Sequence, residues 1–400
     1  MNRSDNLSPR FTDKLGKVGA EVEGSKTLAV TALANRLKAE GRDIVSLTAG
    51  EPDFRTPEIV AEAGIEAIRS GATRYTAAAG EPALRTAVAK VYSERWGVPL
   101  AAGNVCASSG AKPIIYYLMS IFLNPGDKVI FPVPFWVSYE AMVKMRSGIP
   151  VPVETRMENN LKLTAEELDA VAGDAKILLL NNPTNPTGAV YTKSELYAIA
   201  EVARERDLIV IADEIYEDLV YGGRKHESLY TVAPWMPERT VVVTGVSKSF
   251  AMTGWRMGYA IGDESVITPL AKYQSQALSS PCQISQRASI KAVTEGWDTV
   301  DKMRSEFAKR REIVMDKMRS LGLPFAEPEG AFYLFFDTSE VLKRKGWASG
   351  QEFCARLLED VGLALVPGDA FGMDNWVRMS FAASEAELED GFARLERFLV

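Results

Sequence analysis

Cysteine and histidine are both scarce, with three of the first and one of the second in 400 residues. Cys106, Cys282 and Cys354 lie far apart and form no CxxC pair. That spacing argues against a disulfide framework or a structural zinc site and fits a reducing compartment. His226 sits in the polar stretch GGRKHESLY and is the only histidine for a Ser-His-Asp or Cys-His triad, which it is poorly placed to serve. HExxH is missing, as are a GxGxxG after a strand and GxxxxGK[ST], so catalytic metals, dinucleotides and P-loop phosphates lose their usual signatures. The net charge of −7 is spread along the chain without a basic run, which leaves nucleic-acid binding without support. No run of about 18 apolar residues occurs, and the opening MNRSDNLSPRFTDKLGKVGA has no apolar signal core. Neither membrane nor export is expected, and the chain reads as cytoplasmic.

What is present is an ordinary globular composition, 46% hydrophobic and 25% charged, long enough for a large core and a second domain. Residues 1 to 25 read as a polar arm, and KTLAVTALANRLKAEG has the spacing and terminal glycine of a helix. Helical stretches then alternate with the runs GNVCASSG, DKVIFPVP, AKILLLNNPTNPTG, DLIVIADEIY, RTVVVTGVSK and MGYAIG. Continuous apolar strands between helices predict an α/β fold whose mostly parallel sheet is covered on both faces. After residue 290 a long charged helix, VDKMRSEFAKRREIVMDKMRSLG, leads into GAFYLFFD, VGLALVPG and WVRMSFA, the pattern of a smaller α+β domain. The expected division is 1–56 for the arm and part of the small domain, 57–290 for the large domain and 291–400 for the small one.

Ligands of open parallel sheets bind beyond the carboxyl ends of the strands, so the residues ending each run carry the information. They are Gly110, Ala111 and Lys112, then Phe135 and Trp136, then Asn185, then Asp213 and Tyr216, then Ser247 and Lys248. A lysine without a histidine suits carbonyl chemistry through a Schiff base. Pyridoxal phosphate needs such a lysine, an acid for its pyridinium and donors for its phosphate. Lys248 offers the amine, unless it is an exposed lysine at a strand-helix turn. Asp213 ends the apolar run LIVIA, where a carboxylate needs a cation as partner, or is a helix N-cap. SSGAK opens a helix whose N-terminus favours an anion, as at any such turn.

Taken together, GVSKSFAMTGWRMGY, NNPTNPTGAVY, ADEIYEDLVY, PFWVSYE, RYTAAAGEPALR and TAGEPDF come in the order and spacing of the class I, fold-type I aminotransferases. The resemblance spans residues 25 to 400 and is strongest to the bacterial aspartate aminotransferase subgroup with a lysine in GAK. It implies that Lys248 bears pyridoxal 5′-phosphate and carries the proton between substrate and cofactor, that Asp213 holds the pyridine nitrogen protonated, and that Tyr216 and Asn185 bond the phenolate oxygen. Trp136 would stack on the ring, while Gly110, Ala111, Lys112, Ser247 and Arg256 would surround the phosphate end. Tyr75 matches a tyrosine that reaches the phosphate across a dimer interface, implying a homodimer. Arg378 and Gly50 match contacts to the substrate α-carboxylate, and Lys112 with Ser25 matches the group that receives an acidic side chain.

The reaction so implied is amino transfer between L-aspartate and 2-oxoglutarate, with amino acids and 2-oxo acids as partners. Aromatic or prephenate transamination and a β-lyase remain as alternatives on the same scaffold. A PLP-binding transcription regulator would need a DNA-binding domain for which the arm is too short. Two local departures stand out. Gly245 occupies a position, three before the lysine, where many relatives carry a phosphate-binding Ser or Thr. Glu23, two before Ser25, is expected to disfavour prephenate unless Lys26 compensates its charge.

Overall fold

The computed structural model describes residues 9 to 400, so the first eight residues of the expected arm lie outside the described residues. In chain order the described strands are β1 (Val45–Ser46), β2 (Val105–Ser108), β3 (Lys128–Val133), β4 (Ile149–Glu154), β5 (Ile177–Asn181), β6 (Ile209–Asp213), β7 (Thr240–Gly245) and β8 (Gly258–Ile261). There follow β9 (Phe325–Ala326), β10 (Tyr333–Asp337), β11 (Leu363–Ala364), β12 (Val366–Pro367) and β13 (Trp376–Ser380).

Seven strands form one sheet in the order β2-β8-β7-β6-β5-β3-β4. Pairing is parallel from β4 through β7, and β8 runs antiparallel to both β7 and β2. The mostly parallel sheet expected from the apolar runs is therefore present, with MGYAIG as its reversed strand. The reason those runs lack alternation is visible in the packing: Ile177, Leu179, Ile211, Val241 and Val243 enter one core. Their neighbours Leu178, Leu180, Val210, Ala212 and Val242 enter the other, on the opposite face.

One strand of the large sheet escaped the sequence reading. β4, IPVPVE, carries Pro150 and Pro152, and it lies at the sheet's edge, where a missing amide donor is tolerated. Helices between the strands start on legible signals. Thr192 caps Lys193–Glu205 by accepting from Glu195 N, while the Glu195 carboxylate accepts from Thr192 N at 2.7 Å.

A second, four-stranded sheet runs β12-β13-β10-β9, and β1 pairs in parallel with β11. Its core joins Val45 and Leu47, from early in the chain, to Phe332, Leu334, Leu363 and Met379. The long charged helix spans Trp297–Ser320 and buries Met303, Phe307, Val314 and Met318 against that core. The helix expected after the arm covers Lys26–Ala39. No described helix is long and apolar enough to cross a membrane.

Candidate active site

Strands β2, β3, β5, β6 and β7 all end at one edge of the large sheet. Reversal of β8 brings its amino end to the same edge: Gly258 registers with Ser108 on one side and with Gly245 on the other. Arg256, two residues before β8, therefore stands beside Gly110 and the turn that carries Lys248. This explains why a cation eight residues beyond Lys248 returns to the same edge.

Lys248 follows β7 in the short helix Val246–Ser249. Its Nζ donates to the Gly50 carbonyl and lies 6.0 Å above the centre of the Tyr216 ring and 5.9 Å above that of Phe332. Burial is the main cause that lowers its pKa to about 8, with Arg378 and Arg256 adding to the effect and Glu51 and Asp213 opposing it. At pH 7.5 about a quarter of such an amine is neutral, against about a thousandth of an ordinary lysine.

Asp213 ends β6 and is buried. Its Oδ2 accepts from the Tyr139 hydroxyl at 2.6 Å. Burial raises its pKa to about 6, a rise that the Tyr139 bond only partly offsets. A carboxylate kept in this position has a standing electrostatic demand for a cation. Tyr139 also packs edge-on against Trp136 at 5.4 Å, which ties the ring expected to stack on a ligand to the acid expected to hold it. Tyr139 lies three residues beyond Trp136 in PFWVSYE, and the sequence reading passed over it because a buried tyrosine is usually core.

At the other end of the site, β2 gives way through Gly110, at φ +102, to the helix Ala111–Phe122, which has no acid in its first turn. Glycine is favoured there by conformation, and a Cβ would stand 2.8 Å from an Arg256 guanidinium nitrogen and push that side chain aside. Arg256 donates to the Thr253 carbonyl at 2.9 Å. Lys112 Nζ sits 4.9 Å over the Trp136 ring, and desolvation followed by the Arg256 charge lowers its pKa. Ser247 is buried in the turn before Lys248. The departure at Gly245 has a steric cause, since a Cβ there would lie 2.5 Å from Gly258 Cα.

Arg378, on β13, is only 3% exposed. Its guanidinium donates to Asn185 Oδ1 and to the Thr48 carbonyl, each at 3.0 Å, and stacks on Tyr333 and Phe371 at 4.3 and 5.0 Å. Nε has no hydrogen-bond partner. Among the described residues no carboxylate pairs with Arg378, and burial lowers its pKa. A buried guanidinium without a counter-ion is costly, and an anionic ligand would relieve that cost. Asn185 is itself held by its backbone N–H on Asn181 Oδ1 at 2.7 Å, and Asn181 Nδ2 donates to the Asp213 carbonyl at 2.8 Å. Tyr216 shares a 2.9 Å hydrogen bond with Tyr333. Thr48, Asn181 and Tyr333 thus join the site; each lies within a quoted motif or apolar run but was not singled out there.

Other expected members lie at its margin. Ser25 is the N-cap residue of Lys26–Ala39 and bonds Thr27 Oγ1 at 3.0 Å. Lys26 does not simply face Glu23: its Nζ pairs with Asp369 at 3.0 Å, beside the turn that carries Phe371. Tyr75 is 90% exposed on the single chain. His226, in the polar stretch after Tyr221, is partly buried with Nε2 2.9 Å from Glu214.

Architecture and site together define a fold-type I enzyme, a large mixed sheet presenting a lysine, an acid and unpaired cations at one edge. The chain belongs to the aminotransferases of class I and II, whose family model matches residues 42–395. It is 41% identical to an aspartate aminotransferase of Geobacillus stearothermophilus over 96% of this chain and 99% of that one. It is 38% identical to an aspartate/prephenate aminotransferase of Cereibacter sphaeroides over 95% and 97% of the two chains. Among solved structures, an aspartate aminotransferase of Thermus thermophilus with maleate superimposes with a TM-score of 0.92 at 39% identity, covering 96% of this chain and 99% of that one.

Proposed function

We propose that this chain is an aspartate aminotransferase that holds pyridoxal 5′-phosphate on Lys248 and exchanges amino groups between L-aspartate and 2-oxoglutarate, giving oxaloacetate and L-glutamate in two half-reactions. The carrying observation is Arg378, a buried guanidinium with an idle Nε and, among the described residues, no carboxylate partner, next to Asn185. Relatives named for aspartate at about this similarity over nearly the whole chain support the substrate.

When bound, the cofactor supplies an aldehyde carbon that captures amines and a protonated ring that accepts electron density. The residues present fit that group. Asp213, buried and short of a cation, holds a proton on the ring nitrogen, and Tyr139 fixes its carboxylate. Gly110 and Ala111 amides, Ser247 and Arg256 receive the phosphate at the start of a helix free of acids. Trp136 covers one ring face, while Asn185 and Tyr216 orient the ring oxygen. Lys248 Nζ, neutral in a usable fraction at neutral pH, would hold the group at its aldehyde end and would carry the proton at the substrate Cα. Arg378 grips the α-carboxylate with two parallel donors, assisted by the Gly50 backbone. Lys112, assisted by Ser25, receives the side-chain carboxylate.

On this reading the chain divides into 1–56, 57–290 and 291–400, and it works in the cytoplasm as a homodimer in which Tyr75, exposed on one protomer, reaches the partner's phosphate. Glu23 beside Ser25 disfavours prephenate. The test is a panel of donors in single-turnover half-reactions followed by cofactor absorbance. Aspartate and glutamate should react well as donors and the 2-oxo acid prephenate poorly as an acceptor in the reverse half-reaction, and Lys112→Ala should slow the acidic donors far more than alanine. Equal losses for every donor would remove Lys112 from substrate recognition.

A further inference from the structure

The turn that carries Lys248 is fastened at both ends to one pair of acids, Glu217 buried and Asp218 partly so. Thr244, just before Gly245, donates from Oγ1 to Glu217 Oε1 at 2.7 Å, and Ser249, just after Lys248, donates from Oγ to Asp218 Oδ2 at 2.7 Å. Arg95 bridges the two acids, NH1 to Glu217 at 2.9 Å and NH2 to Asp218 at 3.0 Å. Glu217 and Asp218 directly follow Tyr216, three residues after Asp213. One ionic group therefore sets the loop that bears the acid and phenol of the site against the turn that bears its lysine.

We propose that Thr244, Ser249, Glu217, Asp218 and Arg95 form a clamp of positioning residues that fixes where the Lys248 amine stands relative to Asp213 and Tyr216. None of the five bonds Lys248, and their acids do not form an open cation site, although Glu214, Glu217 and His226 cluster closely. Each acid already accepts from protein donors: Glu214 from Ser228 and the Leu229 amide, Glu217 from Arg95, Thr244 and Tyr92, Asp218 from Arg95 and Ser249. Their closeness is thus accounted for by Arg95 and by hydroxyl donors. A bidentate arginine shared by two carboxylates resists displacement better than either pair alone, because moving one acid strains both contacts. Cutting one hydroxyl tether leaves that ionic core intact and frees only one end of the turn.

The inference rests on the reading that Lys248 captures the cofactor aldehyde. Its test uses cofactor-free protein and the pH dependence of the rate at which pyridoxal phosphate is recaptured, since only the neutral amine reacts. The charged groups that face Lys248 are Glu51, Asp213, Arg256 and Arg378, with the Tyr216 phenol beside it, and neither Ser249→Ala nor Thr244→Val alters any of them. A change of midpoint therefore reports position and solvation. For the unsubstituted protein the midpoint should fall near 8. Each variant should fold and retain recapture, with the midpoint higher by about half a unit or more as the amine becomes better hydrated. Its kcat should fall several-fold while KM for aspartate stays unchanged. A midpoint and kcat unchanged in both variants overturn the clamp; if one variant fails to fold, the other decides alone. No recapture in the unsubstituted protein, or capture on another lysine, would instead overturn the reading on which the clamp depends.

Discussion

Replacing Asp213 by asparagine should stabilise the cofactor-free protein while disabling the enzyme. Burial raises the Asp213 pKa from an ordinary 3.8 to about 6, so the native state pays for ionising it by about 2 units, or about 3 kcal/mol. Below about pH 4 the carboxyl is protonated in both folded and unfolded chains, and its ionisation contributes nothing to the difference. Between about pH 4 and 6 the folded carboxyl keeps a proton that the unfolded one has lost, so this group's contribution to stability falls as pH rises, and above 6 the full cost persists. Asparagine escapes that cost, and its oxygen still accepts from Tyr139; an amide left without an acceptor returns about 1 to 2 kcal/mol. Chemical unfolding of the cofactor-free proteins should show a gain for Asp213→Asn of about 1 to 2 kcal/mol at pH 8 that vanishes at about pH 5 and becomes a loss of about 1 kcal/mol near pH 4. With cofactor present the order should reverse, because only the carboxylate answers a ring cation, and turnover should fall at least about tenfold. A variant no more stable than the parent at pH 8, or one with near-parental turnover, would refute this account of Asp213.

Arg378→Lys should raise KM for aspartate about tenfold or more, since a point charge cannot reproduce the paired donors, and steady-state kinetics on the purified protein would show it. A dicarboxylate such as maleate should raise the melting temperature of the parent and protect the variant less. Gly245→Ser should destabilise the fold rather than improve phosphate binding, because the new Cβ meets the Gly258 backbone at 2.5 Å. Overpacking against backbone of this kind costs about 1 to 3 kcal/mol, readable as a lowered melting temperature together with no gain in cofactor affinity.

Much of this site was legible because each member closes an apolar run: Asp213 after LIVIA, Lys248 after TVVVTG, Gly110 after VCAS. A strand end is a local property, and the parallel sheet collects such ends automatically. Contacts across long separations were not legible. Arg378 meets the Thr48 carbonyl 330 positions away, and Tyr216 meets Tyr333 117 away. No periodicity records such a meeting, because it depends on how the second sheet is packed against the first. Tyr139 and Ser249 were missed for a related reason, since both act on site residues through a single hydrogen bond and otherwise resemble core positions. β4 was missed because its two prolines speak against a strand until its edge position is known.

The central claim, that Lys248 is the cofactor's anchor, is tested most directly by borohydride reduction of the protein loaded with pyridoxal phosphate, followed by digestion and peptide mass analysis. Modification blocks tryptic cleavage at Lys248, so the account predicts one pyridoxyl group on the peptide from Thr240 to Arg256, TVVVTGVSKSFAMTGWR. A pyridoxyl group on Lys112 or any other lysine, with this peptide recovered unmodified and cleaved after Lys248, would contradict it.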